Sequence, residues 1–160
     1  MELPKESNSM QSAQLVTLDL VTLAEPPAER RACIDFLLDL AVDAGRVTDR
    51  DAARSALLDR ESDAPTGMGN GVAVPHAMTA AVTRPTVTFA RSSHGVDFDA
   101  PDDDPATLLF CLLVPEDGGG DHLAVLSQLS RSLVDPTFRD RLAAADSEQA
   151  VVELLREAVA

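Results

Sequence analysis

Residues 107–114 read TLLFCLLV, a stretch with no charged side chain and no polar alternation. A strand that is apolar at every position has to be covered on both faces, which is the signature of a central strand in an α/β sheet and not of a half-solvated β-sandwich strand. The chain must therefore supply helices to two sides of one sheet. Its 160 residues are enough for a single domain with its own core, and 45% of them are apolar.

The rest of the chain supplies those elements. Residues 1–14 are polar and aperiodic and are expected to form a flexible N-terminal tail, with the folded domain over 15–160. Residues 15–23, LVTLDLVTL, read as an edge strand. Pro26 and Pro27 are expected to open a helix in which Cys33, Phe36, Leu37, Leu40, Ala41 and Ala44 share a face, with Gly45 just past its end. Thr48 or Asp49 caps a second helix through about Arg60, with Ala52, Ala53, Ala56 and Leu57 inward. The loop ESDAPTGMGNG leads to a short strand over 72–74 that stops at Pro75, and residues 86–91 form a further strand. Asp121 is placed as the cap of a helix carrying Leu123, Leu126, Leu129 and Leu133. Asp135-Pro136 starts a short helix, and Asp146 with Gln149 reads as a capping box opening the last one. Strands and helices alternate throughout, so the class is α/β, as a single domain without internal repeats.

Charge narrows the function. There are 27 acidic residues against 13 basic ones, a net charge of −14, and Lys5 is the one lysine. A field of that sign repels nucleic acid. It also suits a protein that must stay soluble where salt screens charge to within a few ångströms, so a halophilic origin is expected. No apolar run approaches the ~20 residues of a membrane helix, and the N-terminus shows no secretion signal. The expected location is the cytoplasm, without membrane insertion. Cys33 and Cys111 lie far apart in apolar segments, as buried reduced thiols do, and no spacing of Cys or His suggests a metal.

The three histidines differ in setting. His94, in RSSHGVDF, reads as part of a polar turn after a strand, exposed and without a role. His76 follows GNGVAVP. Glycines at 67, 69 and 71 are expected to let the backbone take positive φ and approach a ligand closely. Pro75 fixes the chain immediately before the ring. Neither a Walker loop nor a dinucleotide fingerprint is present, since no Gly-Lys-Ser/Thr and no direct helix follow. An imidazole with a reference pKa of about 6.5 is largely neutral, and therefore nucleophilic, near pH 7. His122 opens the helix of 121–133, where helix-terminal N–H groups attract anions. It either donates to a phosphoryl oxygen or simply occupies a first helical turn.

The stretch Leu57-Leu58-Asp59-Arg60-Glu61, followed by Thr66-Gly67-Met68-Gly69-Asn70-Gly71-Val72-Ala73-Val74-Pro75-His76-Ala77, resembles the enzyme IIA domain of the fructose–mannitol class of the sugar phosphotransferase system. Gly95-Val96-Asp97-Phe98, the apolar strand ending at Pro115, and His122-Leu123 continue the resemblance, which spans roughly residues 16–158. The loop residues SDAP and the acidic segment 101–105 depart from the pattern without touching the motif. The resemblance implies a mixed β-sheet flanked by helices. It implies that His76 is the phosphorylated residue, that His122 supports the phosphoryl group, and that Arg60 lies beside the site, where a guanidinium fork suits phosphate. No cofactor and no metal are implied. The implied partners are a histidine-containing phosphocarrier protein as donor and an enzyme IIB component as acceptor, with a IIC membrane transporter downstream for import of a sugar such as fructose.

Two other readings compete. A nitrogen-type or other regulatory IIA-like protein shares the histidine motif but signals instead of transporting. An anion-binding module would use His76, Arg60 and His122 without transferring anything. A hydrolase is disfavoured, because no GxSxG elbow is present and neither cysteine adjoins a histidine-bearing turn.

Overall fold

The computed structural model describes residues 15–116 and 119–159; the side chains of residues 119–123, 125 and 126 lie outside that description, as does the expected tail over 1–14. Two helices come first, α1 (Arg30–Asp43) and α2 (Arg50–Asp63). Five strands follow: β1 (Gly67–Gly69), β2 (Val72–Ala73), β3 (His76–Met78), β4 (Thr86–Val96) and β5 (Ala106–Val114). Three helices close the chain: α3 (Gly119–Val134), α4 (Pro136–Ala144) and α5 (Glu148–Val159).

The apolar run is the middle of the sheet. β4 pairs with β5 antiparallel on one side, while β2 and β3 pair with it in parallel on the other. The sheet is thus mixed. β2 and β3 keep one register along β5: Val72 lies opposite Leu108, Ala73 opposite Leu109, and after the break at Val74-Pro75, His76 lies opposite Leu112. β1 pairs antiparallel with β2. The two-residue turn between them, Asn70-Gly71, has φ of 58° and 78°, the left-handed pair that closes a tight hairpin with the twist of its strands.

Because side chains alternate along a strand, β5 feeds two cores. Leu108, Phe110 and Leu112 pack with Val72, Val74 and Phe89 against Leu129 and Leu133 of α3, Leu142 of α4, and Val151, Val152 and Leu155 of α5. Leu109, Cys111 and Leu113 pack with Ala73, Ala77 and Ala90 against Ile34, Leu37 and Leu38 of α1 and Ala53 and Leu57 of α2. Each of the large side chains on β5 contributes roughly 1.5–3 kcal/mol by burial. Phe89 and Phe110 add a tilted aromatic pair with centroids 5.0 Å apart. Sheet and helices form three layers, as the both-sides-covered strand demanded.

Helix ends follow local chemistry. Asp49 accepts from the Ala52 amide and Asp135 from Thr137, caps worth about 1 kcal/mol each. Gly45 follows α1 at φ 77°. Arg91 gathers the carbonyls of Leu142, Ala143 and Ala145 at 2.7–3.0 Å, closing the end of α4 from the neighbouring strand.

Several expectations are corrected. Residues 15–23 are not a strand: Leu18–Leu20 make a 3-10 turn, and only Val21 bridges to Phe89. Val16 and Val21 enter one core, Leu20 enters the other, and Leu18 stays in solvent; strict alternation would put residues 16, 18 and 20 on one face, so the chain has to turn. The first helix starts at Arg30 and not at the prolines, with the Glu29 carboxylate capping the Ala32 amide. Its lead-in is tied to the sheet by Glu25, which accepts from Ser92 and Ser93 on β4. α2 runs on to Asp63, and its Ala52 is exposed. The GMG part of the loop is strand β1. β4 continues to Val96 through a bulge, so His94 lies in the strand and not in a turn beyond it. Asp121 lies inside the first turn of α3, which already includes Gly119. Ser147, and not Asp146, caps α5 by accepting from Ala150.

Candidate functional site

His76 opens β3, immediately after the break in the parallel ladder. Pro75 has no amide hydrogen, and its carbonyl accepts from Leu112. Val74 turns the other way: its amide donates to the Thr66 carbonyl at 3.1 Å, and its own carbonyl lies 2.8 Å from His76 Nδ1. A carbonyl can only accept, so Nδ1 carries the proton. The Nε2 atom then bears the lone pair, and no described residue is hydrogen-bonded to it. The half-buried ring is held in one tautomer with its nucleophilic nitrogen unpartnered among the described groups.

The hairpin that delivers this strand is fixed at both ends. Gly67 leaves no room for a side chain, since a Cβ there would sit 2.8 Å from the Phe98 carbonyl. The close approach allowed by this glycine is therefore to the protein's own backbone. At the tip, Asp102 accepts from the Asn70 amide at 2.8 Å and from Asp104 at 3.1 Å. These two bonds hold the Asp102 carboxyl below the ordinary aspartate value. The acidic segment 101–105 is thus a brace for the glycine turn.

Arg60 lies in the last turn of α2, the helix that packs against β3. Its Nη1 donates to the Ala64 carbonyl at 2.9 Å, beyond the end of its own helix. That bond anchors one side of the guanidinium fork. His122 lies in the first turn of α3; its side chain is outside the described residues. The structure thus places the strand of His76 against the helix of Arg60.

Residues that sequence reasoning passed over lie beneath the hairpin. Glu61 is buried and accepts from the Thr66 amide at 3.1 Å and from the Thr66 hydroxyl. Arg30 of α1 approaches it at 3.6 Å, donates to the Asp97 carbonyl, pairs with Asp99 at 2.8 Å and lies over the Phe98 ring. The signal for Glu61 was an acid at a helix position otherwise facing the core, four residues after Leu57; nothing local identified Arg30.

Other nucleophiles are silenced. Burial, aided by the Glu25 and Glu29 carboxylates, pushes the Cys33 thiol up to about 12. Burial does the same for Cys111, also to about 12. His94 is engaged on both sides, by Glu25 at Nε2 and by Ser92 and the Gly95 carbonyl at Nδ1. Among the described residues no helix is long and apolar enough to cross a membrane.

The three-layer domain matches solved IIA proteins over most of its length. The fold matches nitrogen regulatory protein IIA-Ntr from Neisseria meningitidis with a TM-score of 0.78 and 31% identity, covering 89% of this chain and 97% of that one. It matches enzyme IIAMTL, in its complex with phosphorylated enzyme IIBMTL from Escherichia coli, with a TM-score of 0.75 and 28% identity over 89% of this chain and 97% of that one. The chain belongs to the phosphoenolpyruvate-dependent sugar phosphotransferase system, EIIA 2 family, whose sequence model matches residues 14–158. It is 58% identical over 145 residues to the fructose-specific EIIA component of the phosphotransferase system from Haloferax volcanii, covering 91% of this chain and 94% of that protein. It is accordingly a IIA component, a phosphoryl carrier of a phosphotransferase system.

Proposed function

We propose that His76 Nε2 accepts a phosphoryl group from a histidine-containing phosphocarrier protein and passes it to an enzyme IIB component serving uptake of fructose. The observation that carries the reading is the Nδ1–H bond to the Val74 carbonyl, which leaves the Nε2 lone pair as the nucleophile. In the first transfer, that lone pair forms the new N–P bond while the P–N bond on the donor breaks and its electron pair returns to the donor's ring. In the second, a nucleophile of the IIB component takes the phosphorus and the pair returns to Nε2. Nδ1–H stays bonded to Val74 throughout, so the ring need not turn between the steps.

Such a transfer asks the protein mainly for alignment and for donors to the equatorial oxygens. Arg60 and His122 fill that role in this reading. Arg60 has one side of its fork anchored at Ala64, leaving further N–H donors on a guanidinium whose geometry matches phosphate. His122 belongs to the opening turn of α3, where amides and helix dipole favour an anion. The fructose assignment follows the Haloferax volcanii relative, and transfer to a IIB component follows the solved IIA–IIB complex. The same relative, with a net charge of −14 on this chain, supports work in a salt-rich cytoplasm.

The test is incubation with phosphoenolpyruvate, the two upstream relay proteins and then a fructose-type IIB component. An acid-labile label on His76 that drains to IIB is the expected result. Label that forms but stays on His76 would move the protein to the regulatory reading. No label at all would leave only anion binding.

A further inference from the structure

The mechanism leaves one ionisable group unused. Glu61 is a buried carboxylate next in sequence to Arg60, and both its oxygens are committed to Thr66. Burying a carboxylate is costly unless it is hydrogen-bonded and paired. The pairing here is incomplete, with Arg30 at 3.6 Å and turned chiefly toward Asp97 and Asp99. An apolar residue at this helix position would pack α2 against the core at lower cost, so the carboxylate needs another reason to be there.

The hydrogen bonds supply one. Glu61 holds Thr66 by its amide and its hydroxyl. The Thr66 carbonyl holds the Val74 amide at 3.1 Å, and the Val74 carbonyl holds His76 Nδ1–H at 2.8 Å. We propose that Glu61 is a positioning residue for phosphoryl transfer: through Thr66 and Val74 it aims the carbonyl that selects the His76 tautomer with Nε2 free. The coupling is mechanical, because each step passes through a tetrahedral Cα. It is also placed where it matters, since the ladder to β5 is broken at Val74-Pro75 and gives Val74 no fixed partner there. Thr66 supplies that partner, and Glu61 fixes Thr66. The same carboxylate holds the final turn of α2, which carries Arg60.

This assignment rests on His76 being the phosphoryl acceptor, and its test separates the two. Nitrogen-15 NMR of the His76 ring reads the tautomer without any phosphoryl transfer, while labelling from the donor protein reads the rate. In Glu61→Gln, one of two acceptor oxygens becomes an amide that cannot accept, whereas Thr66 still presents two donors. The expected results are a fall in the Nδ1–H tautomer and transfer slower by about tenfold, the size of effect that an outer hydrogen-bond partner exerts on a ligating histidine. Thr66→Val should move both readouts in the same direction, and Thr66→Ser, which keeps both donors, should restore them. If Glu61→Gln does not fold, the Thr66 pair decides. Unchanged ring signals and rate in Glu61→Gln, or in Thr66→Val where that pair decides, overturn the role of Glu61 while leaving His76 as acceptor. Absence of label on the unmutated protein would remove the acceptor role on which this assignment rests, and with it the role of Glu61 in transfer, even if the ring signals of Glu61→Gln still shift.

Discussion

His76 and His94 both sit on strands beside a local irregularity, and they differ in what each ring nitrogen has left to offer. At His76 the ladder is interrupted by Pro75, one ring nitrogen is occupied by a carbonyl, and no described group is hydrogen-bonded to the other. At His94 the irregularity is the bulge of β4, and both nitrogens are turned toward oxygens, the Gly95 carbonyl on one side and the Glu25 carboxylate on the other. The first ring is oriented and still has a lone pair to offer. The second is oriented by spending everything it has, and it serves to clasp the lead-in to α1 onto β4. Orientation alone does not make a nucleophile; an unspent nitrogen does.

The comparison can be broken by exchange. His76→Ala should abolish acid-labile labelling while leaving the fold intact, since the half-buried ring contributes little to either core. His94→Ala should label at close to the unmutated rate. Labelling that survives the first substitution and is lost in the second would reverse the two roles. Scintillation counting of donor-labelled protein, with thermal melts as the folding control, gives both readings.

A smaller effect is expected from Pro75→Ala, which restores an amide hydrogen and loosens φ just before the ring. Added freedom in the unfolded chain should lower stability by about 0.4–1 kcal/mol. Transfer should slow a few-fold, in line with the factor of about ten per 1.4 kcal/mol of lost alignment. Denaturant titration and single-turnover labelling measure the two separately. Transfer at the unmutated rate would show that the Val74 carbonyl is aimed by Thr66 alone.

The smallest effect concerns the His94 clasp. Burial raises the Glu25 carboxyl, but hydrogen bonds from Ser92 and Ser93 and the nearby His94 outweigh it and lower it to about 2, against an ordinary value of 4.5. A folded-state value below the unfolded one gives stability that is fully present above 4.5 and is lost as pH falls through about 2. Glu25→Gln should therefore flatten the stability profile across that acid window and leave phosphoryl acceptance near neutrality unchanged. Parallel profiles for the two proteins would show that the clasp is loose in solution.

Much of this layout was legible in sequence because it rests on local chemistry. The charge-free run of 107–114 announces a strand covered on both sides, Asp49 and Asp135 announce helix starts, and Gly-Asn-Gly before a valine-rich step announces the turn feeding His76. What stayed hidden depends on partners far along the chain. Residues 15–23 have strand propensity, but their side chains must reach two different cores, and only the packed structure reveals that conflict. His94 reads as a turn residue because serines and glycine surround it, yet pairing of Val96 with Ala106 carries the strand past it. Arg30 and Glu61 lie 31 positions apart, and nothing in either neighbourhood points to the other.

The break at Val74-Pro75 has a consequence for which changes the chain can tolerate. Because β2 and β3 meet β5 with the same offset before and after it, the interruption adds and removes nothing from the count of residues. Side-chain direction in a strand has a period of two, so losing or gaining one residue here would exchange the faces of His76 and Ala77. The imidazole would be driven into the space between the sheet and the first two helices, and the alanine methyl would take its place outside. Odd insertions and deletions between Ala73 and His76 would therefore take the imidazole away from the face on which the proposed transfer occurs, even if the fold survives them, whereas the hairpin tip at Asn70 is free of this parity.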